Sequence, residues 1–331
     1  MKRNQRWRLF VRMFVAIIGM GLLFVNGCTP AHDPWEETEG EGPKVLVSFP
    51  ALYCFVKNVG GDHVKVRSLC KSVGPHDYGE PSAADVTEAV GADIFLVNGL
   101  GLDNWFQAIV SSSGNKKLKV IRIGDLLPED LGVPQKDGRP DPHAWLGIEP
   151  ASKMVEIIRD KLIEVAPEHK ETYTQNAAEY IKELQKLKEF GTKKFENLEK
   201  HPIVPLHDSL KYFRKTFGLK VVKSIKDNRD IGGAGVDEFI QIVEASIESK
   251  ARVVIFEPGA PKQRANTLKE RLEDAYKKQA ETLKQDEDEI PKVSLVEFNT
   301  IEKVVPGAEL TADYYVEAMK ANIENLAKGL K

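Results

Sequence analysis

The chain has 331 residues, 42% hydrophobic and 29% charged, with a net charge of −3. That length exceeds one ordinary core and suits two lobes plus a leader. The balance describes a globular protein and gives no basic excess for holding nucleic acid.

Residues 1–27 carry five basic groups (Lys2, Arg3, Arg6, Arg8 and Arg12) and no acid. Taking those five from the 47 basic residues leaves 42 against 50 acidic ones, a net of −8 for the remainder. The basic start precedes an apolar run from Val11 to Val25, interrupted by Arg12. That is a secretory signal, shorter than the roughly 20 apolar residues of a membrane-spanning helix. Val25-Asn26-Gly27-Cys28 follows and resembles a lipobox, so residues 1–27 are read as a lipoprotein signal peptide with Cys28 lipidated. The expected location is extracytoplasmic, anchored at the cell surface or in the periplasm. Residues 28–43 hold Glu, Gly and Pro with almost no aliphatic side chain. They predict an acidic flexible tether, because such a stretch buries too little surface to offset ordering entropy.

The first lobe is expected over 44–166. Lys44–Pro50 and Val64–Leu69 read as strands, Ser82–Val90 as a helix, and Asp93–Asn98 as a strand. Asn104–Ser111 reads as a short helix and Leu118–Ile123 as a strand. Strands alternating with helices predict parallel α/β units. From Pro150 to Lys200 the apolar spacing is helical throughout, divided at Pro167. The piece from Glu168 to Glu199 would span about 48 Å and forms a linking helix, assigned to 167–200. Alternation resumes over 201–331, the second lobe. Ile203–Leu206, Leu219–Ser224, Ala251–Phe256 and Lys292–Phe298 read as strands. Asp208–Phe217, Val236–Ser249, Pro261–Lys284 and Thr311–Leu330 read as helices. The predicted fold class is α/β, two parallel-sheet lobes joined by one long rigid helix. Export leaves two readings open for Cys54 and Cys70: a disulfide, or two buried thiols.

Of seven histidines, three share a context. His76 follows the strand ending at Leu69, His143 lies in a loop before a helix, and His207 ends a strand. Ligands in open α/β sheets bind beyond the carboxyl ends of strands. Three imidazoles drawn from both lobes can therefore meet in the cleft and hold a borderline metal such as zinc. Asp77, Asp141 and Asp208 are candidates to hold the second ring nitrogens.

The segments Gly74-Pro-His-Asp-Tyr-Gly-Glu-Pro-Ser, Asp141-Pro-His-Ala-Trp-Leu and Leu206-His-Asp-Ser-Leu-Lys-Tyr-Phe, with the final Tyr-Tyr-Val-Glu-Ala-Met helix, resemble the zinc and manganese group (cluster A-I) of metal-binding proteins that serve ABC importers. The resemblance covers residues 44–331. It implies a metal in the inter-lobe cleft, held by His76, His143 and His207 and usually by an Asp after the last strand. Asn299 stands at that place here, so Asn299 is the implied fourth group; Glu257 is another second-lobe acid near the same rim. Zn2+ is favoured and Mn2+ or Fe2+ remain open; no histidine-rich loop occupies 128–140. The implied partner is an ABC permease with its ATPase, served by a monomer that is not an enzyme. Two other readings stay open: a surface adhesin or metal-storage lipoprotein, and a three-His zinc hydrolase. The chain shows neither a His-Glu-x-x-His motif nor a nucleophile elbow for the latter.

Overall fold

The computed structural model describes residues 33–133, 138–198, 200–222, 236–284, 286, 288 and 290–331. The signal peptide and Cys28 lie outside these residues. Among the described residues no helix is long and apolar enough to cross a membrane.

The first lobe is built on four parallel strands, β1 (Lys44–Val47), β2 (Lys65–Ser68), β3 (Ile94–Val97) and β4 (Lys119–Arg122). Their order is β2-β1-β3-β4, with Val45 opposite both Val66 and Ile94. All four residues of β3 are buried, as expected for a parallel strand covered on both faces. Helix α1 (Pro50–Gly60) follows β1, where the sequence reading has only a strand end. Pro50 begins the helix rather than closing the strand, a position where its missing N–H costs nothing. Most of α1 is apolar and buried, with Lys57 and Asn58 on its less buried side, so in the sequence it reads as a continuation of the apolar run of β1. Helix α2 (Ala83–Gly91) begins at a reciprocal cap between Ser82 and Asp85, and α3 (Phe106–Ser113) leads to β4.

Helix α4 (Ile148–Val165) runs into a 3-10 turn at Pro167–His169 and then the linking helix, α5 (Lys170–Phe195). Its 26 residues span about 39 Å, shorter than the stretch read from the sequence. Tyr173, Ala177, Tyr180, Leu184, Leu187 and Phe195 line its buried stripe. It packs on α1 and α4 of the first lobe, and on α6 (Lys211–Phe217) and α9 (Tyr314–Leu330) of the second. A Cβ at Gly191 would come within 2.3 Å of the Phe217 ring, so only glycine permits that approach. The linking helix is thus embedded in one core that runs through both lobes.

Among the described residues the second lobe has three parallel strands, β5 (Ile203–Pro205), β6 (Val253–Phe256) and β7 (Ser294–Glu297), in that order. Helices α7 (Val236–Ser249) and α8 (Lys262–Leu283) connect them. The predicted strand at Leu219–Ser224 is reduced to a single parallel bridge between Val221 and Ile203; residues 223 and 224 lie outside the described set.

One expectation is corrected and one open choice is decided. The tether read over 28–43 is part of the fold from Trp35 onward. The Trp35 indole is fully buried among Leu46, Leu69, Phe95 and Phe106, and its Nε1 donates to the Glu88 carbonyl at 3.0 Å. Gly40 and Gly42 adopt φ of 105° and 79°, and side chains there would strike the 63–64 backbone. One aromatic in a polar stretch supplies the burial that composition alone did not reveal. Trp35→Ala is expected to cost about 3–5 kcal/mol, as for other buried large-to-small changes, read as a lowered denaturation midpoint. Of the two readings open for Cys54 and Cys70, the structure shows buried thiols unbonded to each other. Burial pushes the Cys54 thiol up to about 12 and raises Cys70 as well.

Helices α4 and α5 are tied by Glu149 and Lys188. Partial burial alone would raise the Glu149 carboxyl, but the Lys188 ammonium outweighs it and holds it below the ordinary value. Its stabilisation is therefore present above the unfolded glutamate value of about 4.3 and lost as pH falls through the lower folded value. The pair is part-exposed, so Glu149→Gln should cost no more than about 1 kcal/mol at pH 7. Denaturant titrations of both proteins should converge as pH falls below that folded value.

Candidate metal centre

Each side chain of the centre is delivered by a loop at one rim of the two sheets. His76 lies in the turn Pro75–Asp77, after β2. That turn is held by the Trp105 indole, whose Nε1 donates to the Pro75 carbonyl at 2.9 Å, and by Tyr78 stacked on Trp105. His143 immediately precedes the turn Ala144–Leu146 that opens α4. The Asn98 amide, at the end of β3, donates to the Pro142 carbonyl at 3.0 Å. The Asp103 carboxylate in turn receives the Asn98 and Gly99 N–H groups at 2.6 and 3.0 Å. His207 follows β5, and Glu302 sits in the loop after β7.

Asp141 orients His143. Its Oδ1 accepts the His143 backbone N–H at 3.0 Å and lies 2.9 Å from Nδ1, while Oδ2 accepts from Lys211 at 2.9 Å. Burial alone would raise the Asp141 carboxyl; the bond and charge of His143, with Lys211, prevail and lower it. Glu257, at the end of β6, holds His207 Nδ1 in the same way. Its burial penalty is likewise outweighed by His207, and its carboxyl is lowered. Both acids stay ionised as acceptors, which directs each Nδ1–H away and turns the Nε2 lone pairs towards one point.

His76, His143, His207 and Glu302 each offer a ligand atom, and these atoms lie within 4.8 Å of one another. The Nε2 atoms of His76 and His143 are 3.1 Å apart. Glu302 Oε1 is 3.6 Å from His143 Nε2 and 4.0 Å from His76 Nε2. A tetrahedral ion with bonds of about 2.0–2.1 Å needs donors about 3.3 Å apart; the His76–His143 and His143–Glu302 pairs are near that spacing, and the wider pairs would have to draw in around an ion. His143 is 3% exposed, and a cavity of about 270 Å³ lies beside the cluster, lined in part by His76, His207, Glu257, Arg264 and Glu302.

The structure brings together the three histidines singled out in the sequence but not Asn299. The Asn299 amide is spent within its own loop: Oδ1 accepts the Ile301 N–H at 2.8 Å and Nδ2 donates to the Tyr314 hydroxyl at 3.1 Å. Glu302, three residues on, is the acid that lies with the three imidazoles. The signal available was simply an acid in Phe298-Asn-Thr-Ile-Glu302; which residue of the loop faces inward is not encoded in spacing. Of the three aspartates proposed to hold imidazoles, Asp141 does so at 2.9 Å from His143 Nδ1, whereas Asp208 pairs with Lys211 at 2.9 Å and Asp77 lines the cavity.

A family model described as zinc-uptake complex component A, periplasmic, matches residues 45–329. The manganese-binding lipoprotein MntA of Halalkalibacterium halodurans is 33% identical, over 64% of this chain and 68% of its own length. The zinc-binding lipoprotein AdcA of Streptococcus pneumoniae is 30% identical over 68% of this chain, which spans 47% of that longer relative. The crystal structure of the AdcAII protein of Streptococcus pneumoniae superposes with a TM-score of 0.70 at 28% identity, covering 88% of this chain and 99% of its own.

Proposed function

The chain belongs to the family of zinc-uptake complex component A proteins across residues 45–329, and from that premise we propose that it captures a divalent transition metal, zinc foremost, for delivery to an ABC permease and its ATPase. The observation that carries this reading is the cluster of His76, His143, His207 and Glu302, two donors from each lobe. Three imidazoles and one carboxylate suit zinc, which accepts four mixed N and O donors; manganese prefers more oxygen ligands. Lipidation at Cys28 would keep the protein beside its permease.

The act is capture. A hydrated ion enters the cavity and exchanges waters for three imidazole nitrogens and the Glu302 carboxylate. Asp141 and Glu257 keep two imidazoles in the tautomer that presents Nε2 to the ion. The carboxylate removes one of its two charges, so the buried site carries less net charge. The embedded linking helix favours small adjustments over wide lobe opening.

Chelator-stripped full chain should bind one equivalent of zinc tightly in a competition titration. Affinity should fall as the solution is acidified, because protons compete with the metal for imidazole nitrogen. Absence of any tight transition-metal binding, or binding that survives loss of both His76 and His207, would overturn the reading.

A further inference from the structure

The carboxylate of this site comes from position 302, although the resemblance places it at 299, and the loop between the two is unusually constrained. Just past β7, the Asn322 side chain of α9 grips the Asn299 backbone in both directions. Asn299 N–H donates to Asn322 Oδ1 at 2.7 Å, and Asn322 Nδ2 donates to the Asn299 carbonyl at 2.7 Å. The Asn299 amide then bonds Ile301 N–H and the Tyr314 hydroxyl. That hydroxyl also receives the Val305 N–H at 3.0 Å and donates to the Lys303 carbonyl at 3.3 Å. The Trp145 indole, from the other lobe, donates to the Thr300 carbonyl at 2.8 Å.

Between these bonds sits Ile301 at φ 61°, fully buried. A β-branched residue in the left-handed region is a true outlier, and such a conformation persists only where its surroundings over-determine it. Here the surroundings are the Asn322 grip before it, the Tyr314 hydroxyl after it, and the core around its side chain. The left-handed turn is what reverses the chain so that residue 302, rather than 299, faces the imidazoles. The opposite wall accommodates this: a Cβ at Gly74 would lie 3.2 Å from Glu302 Oε2, so a glycine there leaves room for the carboxylate.

We infer that Asn299, Asn322 and Tyr314 form a lock that holds Ile301 in its strained turn and thereby presents Glu302 to the metal from one fixed direction; Asn299 is a positioning residue and not a ligand. The inference rests on Glu302 being a ligand in the function proposed above. A carboxylate held in one direction completes a four-donor set suited to zinc. A mobile one would better satisfy an ion such as manganese, which accepts more oxygen ligands. The lock therefore sets preference as well as affinity.

The test compares zinc and manganese dissociation constants, and the visible absorption of bound Co2+, for the full chain and four variants. Asn322→Ala and Tyr314→Phe should each weaken zinc about 10- to 100-fold, the usual effect of losing a group that orients a ligand. Manganese should weaken less, and the intense Co2+ bands of a four-coordinate site should fade. Asn299→Asp should not tighten zinc, because the new carboxylate would face Ile301 and Tyr314. The lock is refuted if Tyr314→Phe, which removes one oxygen from a folded protein, and Asn322→Ala both keep zinc within about threefold of the parent, far below an orienting effect. It is also refuted if Asn299→Asp tightens zinc. Glu302→Gln separates the two ideas: a silent Glu302→Gln removes the ligand assignment itself, whereas a weakened one with silent lock variants removes only the lock.

Discussion

His143→Ala is expected to lower zinc affinity by at least about a thousandfold, equivalent to roughly 4 kcal/mol, while leaving the metal-free fold intact. His143 is the most enclosed imidazole of the cluster, and its Nε2 lies within 3.6 Å of two other donor atoms. Removing it leaves three donors and a void where the ring stood. The fold should tolerate the loss because Asp141 keeps Lys211 and the backbone N–H of residue 143. Linkage provides an independent readout. Zinc at a thousand times its dissociation constant should stabilise the parent by about 4.1 kcal/mol, and the variant should lose that increment. A variant that still shows the full zinc-induced rise in melting temperature would place the metal elsewhere.

Glu302→Gln is the second large effect. It preserves shape but removes the only formal negative charge among the four clustered donors. Breaking one side of a buried charge pair typically costs about 3–5 kcal/mol, so zinc should weaken by roughly a hundredfold or more. The metal-free protein should gain rather than lose stability, because a buried carboxylate is replaced by a neutral amide. Calorimetric zinc titration together with a denaturation midpoint for the stripped protein would show both signs. If Glu302→Gln binds zinc as the parent does while Asn299→Ala does not, the fourth group is Asn299 after all.

Much of this protein is legible along the chain. Short apolar runs alternating with amphipathic stretches predict parallel sheets, because a strand buried on both faces and a helix buried on one leave different periodicities. The six-residue hydrophobic stripe of α5 is as plain in the sequence as in the fold. His76 and His207 are legible for a topological reason: parallel strands point their carboxyl ends the same way, so residues just past them share a rim. Helix α1 is not legible, because its apolar residues continue directly from β1, and a proline at its first turn looks the same as one ending a strand.

The sequence by itself therefore determined the α/β class, the linking helix and the three imidazoles, all of which follow from local periodicity or from strand direction. Only the tertiary structure decided that Trp35 joins the first-lobe core, that Cys54 and Cys70 stay apart, and that Glu302 lies with the three imidazoles while the Asn299 amide is bonded within its own loop. Each of these depends on partners distant in sequence: the Glu88 carbonyl for Trp35, and Asn322, 23 residues beyond Asn299, for the loop. A single isoleucine with a left-handed φ immediately precedes the carboxylate that joins the site. No pattern of residue types announces it, because for isoleucine that conformation is stable only when the rest of the fold holds it.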